Sequence, residues 1–166
     1  MFKLKSLRKE GVPGALERAE RYRLLNEPFQ AESICLDILE VESTHQRALI
    51  TLLLARTDQF LFGKGSPEAA GEVLPRIEDP YQRVYYAGII SERRGWAALV
   101  HARPGGDAMA SEYLHRAMEQ YAEAEVLSPS DNDDSRLRWN TCARILSSTS
   151  RLRPKEGERE QPLLLE

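Results

Sequence analysis

The sequence has little of what membrane proteins and disulfide-stabilised domains need. Its two cysteines, Cys35 and Cys142, stand in separate helical patterns without the paired spacing of a metal or redox site. Its apolar runs are far shorter than the roughly 20 residues that cross a bilayer. The basic first residues are not followed by the apolar stretch of a secretory signal. We therefore expect a cytoplasmic protein without membrane contacts, with both cysteines buried as small hydrophobic residues.

Residue patterns typical of catalysis and metal binding are also absent. The histidines His45, His101 and His115 never fall at metal-ligand spacing with one another, and there is no serine nucleophile elbow. The stretch "FGKGSPE" lacks the first glycine of a phosphate loop and follows a helix instead of a strand, which predicts a plain loop. The "DNDD" stretch lacks the glycine and glutamate of a calcium loop and is typical of a helix start. We expect no catalytic activity, no metal and no cofactor, although an enzymatic site assembled only by the fold stays open.

Charge is low overall and unevenly distributed. The net charge of -3 argues against nucleic-acid binding. Residues 107–134 contain one basic residue against eight acidic ones, whereas residues 135–159 contain seven basic against two acidic. The stretch "RRGWAALVHAR" combines basic and aromatic residues, as nucleic-acid-stacking surfaces do. Because Trp96 and Leu99 lie about one helical turn apart, packing against the sixth helix is the preferred interpretation.

Helical periodicity dominates the rest, and no convincing strand pattern occurs, which predicts an all-α protein. Start signals are the capping-box spacing at Ser43 and the cap-proline pairs at Ser66 and Asp79. The predicted helices cover about residues 13–25, 28–40, 43–62, 67–77, 81–102, 107–127 and 131–147. Residues 1–11 form a basic N-terminal segment, residues 12–147 the helical domain, and residues 148–166 a charged tail predicted to be disordered.

A weak internal repeat organises these helices into pairs. In "LHRAMEQYAEAEVLSPSD", Ala117, Tyr121, Ala124 and Pro129 follow one another at intervals of four, three and five. The same spacing recurs at Ala31, Cys35, Ile38 and Ser43, and its first two intervals recur at Ala70, Leu74 and Ile77. Small residues let the two helices of a hairpin cross closely, and the larger residue fills the gap to the next hairpin. A hairpin of this kind cannot bury its face alone, so the pattern predicts a stack.

These residues resemble the tetratricopeptide repeat (TPR) family, and Gly88 resembles the small residue of its first helix. The resemblance covers about residues 12–147 and implies antiparallel helix hairpins stacked as a right-handed superhelix, with about three repeats plus a terminal helix. The distances from Ala31 to Ala70 and from Ala70 to Ala117 exceed the family period of 34 residues. We expect the extra length to make the third hairpin project beyond the stack.

The resemblance implies a non-catalytic scaffold or adaptor that binds a peptide or helix of a partner protein in a concave groove, or at the extended third hairpin. The positions that correspond to the groove are Leu16, Glu20, Arg23, Arg47, Ile50, Leu54, Gln82, Tyr85, Ile89 and Glu92. Ile50, Leu54 and Ile89 have an equal alternative as core residues. Leu16 and Glu20 replace the Lys and Asn with which one family subtype clamps a terminal carboxylate, so that activity is not expected.

Two other functions stay open. A small secretion-type TPR chaperone would hold an unfolded client protein. A structural subunit would self-associate through exposed surfaces, and the leucines at 163–165 are one candidate contact with another copy.

Overall fold

The computed structural model describes residues 2–152, and every regular element among them is helical, as predicted. Seven α-helices follow one another along the chain: α1 (Val12–Leu24), α2 (Pro28–Val41), α3 (Gln46–Asp58), α4 (Pro67–Gly71), α5 (Pro80–His101), α6 (Gly106–Leu127) and α7 (Asp134–Ser148). Short 3₁₀ turns extend several of them. Although α5 and α6 are long, no helix in the described residues has the length and apolarity needed to cross a membrane.

The predicted cap-proline starts are confirmed at α4 and α5. The Ser66 hydroxyl accepts a hydrogen bond from the Ala69 amide (3.1 Å), and the Asp79 carboxylate accepts one from the Gln82 amide (2.9 Å). Each satisfies an amide that the first helical turn leaves without an intrahelical partner. At α3 the prediction was wrong by two residues, because the cap is His45 and not Ser43. The imidazole Nδ1 of His45 accepts from the Ala48 amide (3.3 Å).

Two predicted helices are shorter than expected. The third leaves α-helical geometry at Asp58 and ends in a 3₁₀ turn, Gln59–Phe62. The fourth ends at Gly71 and is followed by a second 3₁₀ turn, Leu74–Arg76. Pro75 explains this break, since it has no amide hydrogen to donate to the preceding helical turn and its ring crowds that turn.

Consecutive helices pack against each other and form two core clusters. The first is built mainly from α1 to α4 and also includes Ile77 and, from α5, Ile90, whereas the second joins α5, α6 and α7. Ala117, Tyr121 and Ala124 are fully buried, as the repeat spacing predicts, and Cys35 and Cys142 are buried too. A Cβ atom at Gly88 would lie 2.5 Å from the Tyr121 ring, which explains why this position of α5 has no side chain.

The third hairpin, formed by α5 and α6, is much longer than the hairpins before it. Both helices have 22 residues, whereas α1 and α3 have 13. At about 1.5 Å per residue, the hairpin is roughly 13 Å longer than these helices. The last turns of α5 pack on the 3₁₀ turn Gln59–Phe62. The predicted packing in this region is confirmed for Leu99, which is partly buried against the second core, whereas Trp96 is 40% exposed.

The ordered chain continues beyond the predicted domain end at residue 147. Ser148 is the last residue of α7, and a 3₁₀ turn follows at Ser150–Leu152. Leu152 is buried in the second core cluster, so the start of the predicted tail belongs to the packed domain. The rest of that tail, residues 153–166, lies outside the described residues.

Candidate partner-binding surfaces

The residues predicted to line a groove come from α1, α3 and α5, which pack side by side and present what we call the α1/α3/α5 face. Their exposure differs widely. Arg47 is exposed, and the partly exposed members are Glu20, Arg23, Ile50, Leu54, Gln82 and Tyr85. Leu16 (4% exposed) and Ile89 (1%) are sealed in the core, which corrects their assignment as partner contacts. For Ile89, the core alternative is the right one.

The charged side chains of this face largely neutralise one another. Arg47 of α3 donates to both carboxylate oxygens of Glu20 on α1, at 2.8 and 3.0 Å. Arg23 contacts Asp58 at 2.8 Å. Arg93 of α5 approaches the other Asp58 oxygen at 2.6 Å, so one carboxylate joins three helices. These pairs fix the helices relative to each other and leave little net charge for a ligand.

Asp58 and Arg93 were missed by the sequence interpretation. Arg93 also donates to the Leu54 carbonyl (3.0 Å) and to the Thr57 hydroxyl, both at the end of α3. Burial lowers the pKa of Arg93, and the neighbouring Asp58 carboxylate opposes that effect. The opposite charges of Asp58, at the end of α3, and Arg93, within α5, were the available signal, but the sequence does not give the distance between them.

Glu92 is a structural residue in this arrangement, which corrects its assignment to an open groove. Its side chain is 4% exposed. The Tyr121 hydroxyl donates to one carboxylate oxygen at 2.6 Å, and Arg138 of α7 donates to the other at 3.0 Å. Burial, with the charge of Glu92 next, raises the pKa of Tyr121 and keeps it the donor. Glu92 thereby joins α5, α6 and α7.

A cluster of tyrosines adjoins the charged pairs. Tyr81 stacks on Tyr85 with ring centroids 5.6 Å apart, and Tyr85 also contacts the rings of Tyr86 and Tyr121. Burial is the main cause that raises the pKa of Tyr86 to about 12. Tyr81, Tyr85 and Gln82 each keep part of their surface accessible. They give the α5 side of the face an amphipathic surface on which a peptide could pack.

A second surface lies at the third hairpin, the alternative binding region that the TPR resemblance implies, although its lining residues were not predicted: a cavity of about 280 Å³ where α5 and α6 meet the loop after α3. We call it the basic pocket. Its apolar walls come from Phe60, Pro67, Ala97, Ala98 and Met109. Its positively charged or ionisable residues are Lys64, Arg94, His101 and Arg103. No Asp or Glu lines it, so the electrostatic character of this cavity is positive.

Glycines and hydrogen bonds hold the loop beside the basic pocket in place. Gly65 has a φ of +80°, and a Cβ atom there would lie 2.8 Å from the Arg56 carbonyl oxygen, so this turn requires glycine. The His101 Nε2 atom lies 3.1 Å from the Phe60 carbonyl oxygen and links the end of α5 to the 3₁₀ turn. The stretch "FGKGSPE" is therefore a loop with a helix start, as predicted, and it also forms one wall of the pocket.

Arg94 and Tyr113 fix the opposite wall. The guanidinium of Arg94 lies over the Tyr113 ring, 4.2 Å from its centroid, and one of its nitrogens donates to the Tyr113 hydroxyl at 2.6 Å. Lys64 faces the Phe29 ring at 5.5 Å. Across residues 2–152, none of the three cations Lys64, Arg94 and Arg103 forms an ion pair with a carboxylate. This distinguishes the pocket from the α1/α3/α5 face.

The described residues offer no evident centre for metal chemistry. Within residues 2–152, no three His, Cys, Asp or Glu side chains are grouped so that they could hold a metal ion. Burial raises the pKa of both Cys35 and Cys142 to about 12, so each thiol stays protonated at neutral pH.

Comparisons with protein-family models, with curated proteins and with solved structures find no significant match for this chain.

Proposed function

We propose that this protein is a non-catalytic TPR-like scaffold that binds a segment of a partner protein on its α1/α3/α5 face. The observation that carries the proposal is the side-by-side packing of α1, α3 and α5, the first helices of successive predicted hairpins. Buried Ala31, Ala117 and Tyr121, at the repeat spacing, support the same architecture. In such a stack the first helices line the concave surface, which is the surface that helical repeats use for extended binding.

The accessible residues of the face suit a polar peptide better than a purely apolar helix. Arg47 and Glu20 are exposed enough to exchange their mutual ion pair for contacts with a ligand, because an exposed pair is worth less than about 1 kcal/mol. Gln82 and Tyr85 add hydrogen-bonding groups beside an aromatic surface. The buried Leu16, Ile89 and Glu92 act by holding the helices in register.

Affinity purification of partners tests the proposal with two surface variants, Arg47→Glu and Gln82→Arg. Both change charge on the face without removing a buried group, and circular dichroism would verify that the helices remain. Arg116→Glu is the control, since Arg116 lies on exposed α6 surface and its ion pair in the described residues is with Glu112 one turn away, at 3.8 Å. We expect the two face variants to lose the partner and the control to retain it. Equal recovery by all three would refute binding on this face.

Self-assembly as a structural subunit is the second candidate, favoured by exposed apolar residues near the turn between α6 and α7. Val126 is 85% exposed, Leu137 61% and Leu127 46%. Burying such residues between copies would be favourable at about 25 cal/mol per Å². Light scattering over a range of concentrations tests this: a wild-type oligomer that Leu137→Glu dissociates would favour assembly, whereas a concentration-independent monomer would exclude it.

A further inference from the structure

We propose that the basic pocket is an anchor site for an acidic, leucine-containing segment of a partner protein. An apolar side chain would enter the cavity, and flanking carboxylates would contact Lys64, Arg94 and Arg103. The inference rests on the proposed function, because it takes the bound partner to be a protein. It adds a second contact surface, at the projecting third hairpin, and states the chemistry of the segment that binds there.

The unpaired positive charges of the basic pocket favour an anionic ligand. On the α1/α3/α5 face, Arg23, Arg47 and Arg93 each pair with a carboxylate. Lys64 and Arg103 have no such pair in the described part of the chain, although they line the same cavity as Arg94. Like charges gathered around one cavity repel each other, and an anionic ligand removes that repulsion.

Glu68, the acidic side chain whose pKa responds to the charge of Arg94, forms no ion pair with the pocket cations in the described residues. Glu68 follows the pocket wall in sequence, and the field of Arg94 lowers its pKa only as the smallest of several causes. The first causes are its own backbone amide and the Ser66 hydroxyl, which donates to its carboxylate at 2.8 Å. Glu68 is thus part of the α4 start and makes no ion pair with Arg94. A bound carboxylate would face the cations of Lys64 and Arg103, which form no ion pair within residues 2–152.

The walls and the size of the basic pocket favour an aliphatic side chain as the group that enters it. Phe60 and Met109 face the cavity together with Pro67 and two alanines, which suits an aliphatic side chain. A volume of about 280 Å³ lies just below the range of about 300–1,000 Å³ typical of small-molecule sites. A space of this size accommodates a few side chains of a bound segment.

The surface around the pocket favours a protein segment over a free small anion. Leu61 and Phe62, in the adjoining 3₁₀ turn, are 49% and 47% exposed. Val100, in the last turn of α5, is 57% exposed. A segment anchored in the pocket would extend over these residues and cover apolar surface that a ligand confined to the cavity would leave in water. The loop contacts described above hold the pocket open in advance, which lowers the entropic cost of binding.

Fluorescence anisotropy with a defined peptide tests the inference. The probe is a fluorescein-labelled peptide, Gly-Glu-Glu-Leu-Leu-Glu-Glu-Gly, and its matched control replaces the four glutamates with lysines. The full-length protein is used in every case. We expect the acidic peptide to bind, the basic peptide to bind at least tenfold more weakly, and affinity to fall with added salt. The double variant Lys64→Glu/Arg103→Glu should weaken the acidic peptide at least tenfold, while Arg116→Glu should leave it unchanged.

Several results would overturn the inference. Equal binding of both peptides would show that charge plays no role, and an unaffected double variant would place the peptide elsewhere. Residues 156–166, "EGEREQPLLLE", combine four acids, one arginine and three leucines. If replacing the leucines at 163, 164 and 165 with serine raised peptide affinity tenfold, the occupant would be this segment of the chain itself. If decanoate displaced the peptide at a concentration below the peptide's own dissociation constant, the ligand would be a small amphiphile.

The two proposals fail in different ways. Arg47→Glu changes the α1/α3/α5 face and should not alter peptide binding at the basic pocket. Loss of the natural partner with Arg47→Glu, combined with no peptide binding at the pocket, would retain the proposed function and reject the anchor site. Peptide binding at the pocket with normal partner recovery by the Arg47→Glu and Gln82→Arg variants would reject the α1/α3/α5 face alone.

Discussion

The middle of the third hairpin and the end that borders the basic pocket differ in whether their charged side chains are paired. In the middle, Glu92 is buried, and both of its carboxylate oxygens have donors, from Tyr121 and Arg138. At the end, Lys64 and Arg103 line a cavity without any carboxylate partner in the described residues. The helices are the same, so the difference comes from what packs beside them. In the middle a third helix, α7, covers the charge, whereas at the end a glycine loop leaves a cavity.

This difference separates a region that stabilises from one that is available for binding. A buried charge is tolerated only when its partners are fixed, and in residues 2–152 no buried side-chain polar atom lacks a hydrogen-bond partner. Solvent-facing cations have no such requirement and tolerate the absence of a counter-charge. Substitutions in the middle should therefore change the free energy of unfolding, and substitutions at the end should change binding.

The largest effect is expected from Glu92→Gln. The amide keeps one acceptor but removes the negative charge that Arg138 and Tyr121 contact. Breaking a fully buried ion pair typically costs about 3 kcal/mol, and because the Arg138 side chain is 40% exposed the expected loss is at most about that value. Urea denaturation monitored by circular dichroism would measure this loss. Glu20→Gln removes an exposed partner of Arg47 and should cost less than about 1 kcal/mol. Similar losses for the two variants would break the distinction between buried and exposed pairs.

Gly88→Ala should have the next largest effect, a loss of about 2 kcal/mol. Its new methyl group would lie 2.5 Å from the buried Tyr121 ring, and that ring is held by its hydrogen bond to Glu92. Gly71→Ala is a matched control at the end of α4, where nothing lies within 4 Å of the added atom. Thermal unfolding should show a lower midpoint for the first variant and no loss for the second. A neutral Gly88→Ala would mean that α5 and α6 can separate without penalty.

Alkaline pH should destabilise the packed interior of the protein before it affects the end of the third hairpin that borders the basic pocket. Burial raises the folded-state pKa of Cys142 to about 12, and the charge of Glu92 is the second cause. Because an unfolded thiol ionises near pH 9, stability is fully present below that pH and falls as pH rises toward 12. The expected loss is about 1 kcal/mol per buried thiol by pH 10. Denaturation series at pH 8 and pH 10 measure it, and a Cys142→Ala variant should reduce the pH dependence.

Helix starts were predictable from the sequence because their signals are local. Ser66 with Pro67, and Asp79 with Pro80, specify a cap and a first helical position within two residues. The small residue at Gly88 was recognisable from the resemblance to the TPR family, whose first helix has a small residue there. The contact of Glu92 with Arg138 was not, because it joins residues 46 positions apart on different helices. The basic pocket forms only because α5 and α6 lie beside the "FGKGSPE" loop, and no local sequence pattern encodes that position.

The smallest effect on stability, and the sharpest contrast with Glu92, is expected for Lys64→Gln/Arg103→Gln. Neither side chain has a carboxylate partner in the described residues, so the double variant should change the free energy of unfolding by less than about 0.5 kcal/mol. Because the double variant reduces the repulsion around the pocket, we expect a slight gain in the free energy of unfolding. Urea denaturation measures the value, with Arg56→Gln as the paired comparison, since Arg56 contacts Glu32 at 2.9 Å. A loss of unfolding free energy as large as that of Arg56→Gln would show that the pocket cations stabilise the fold and are not available for binding a ligand.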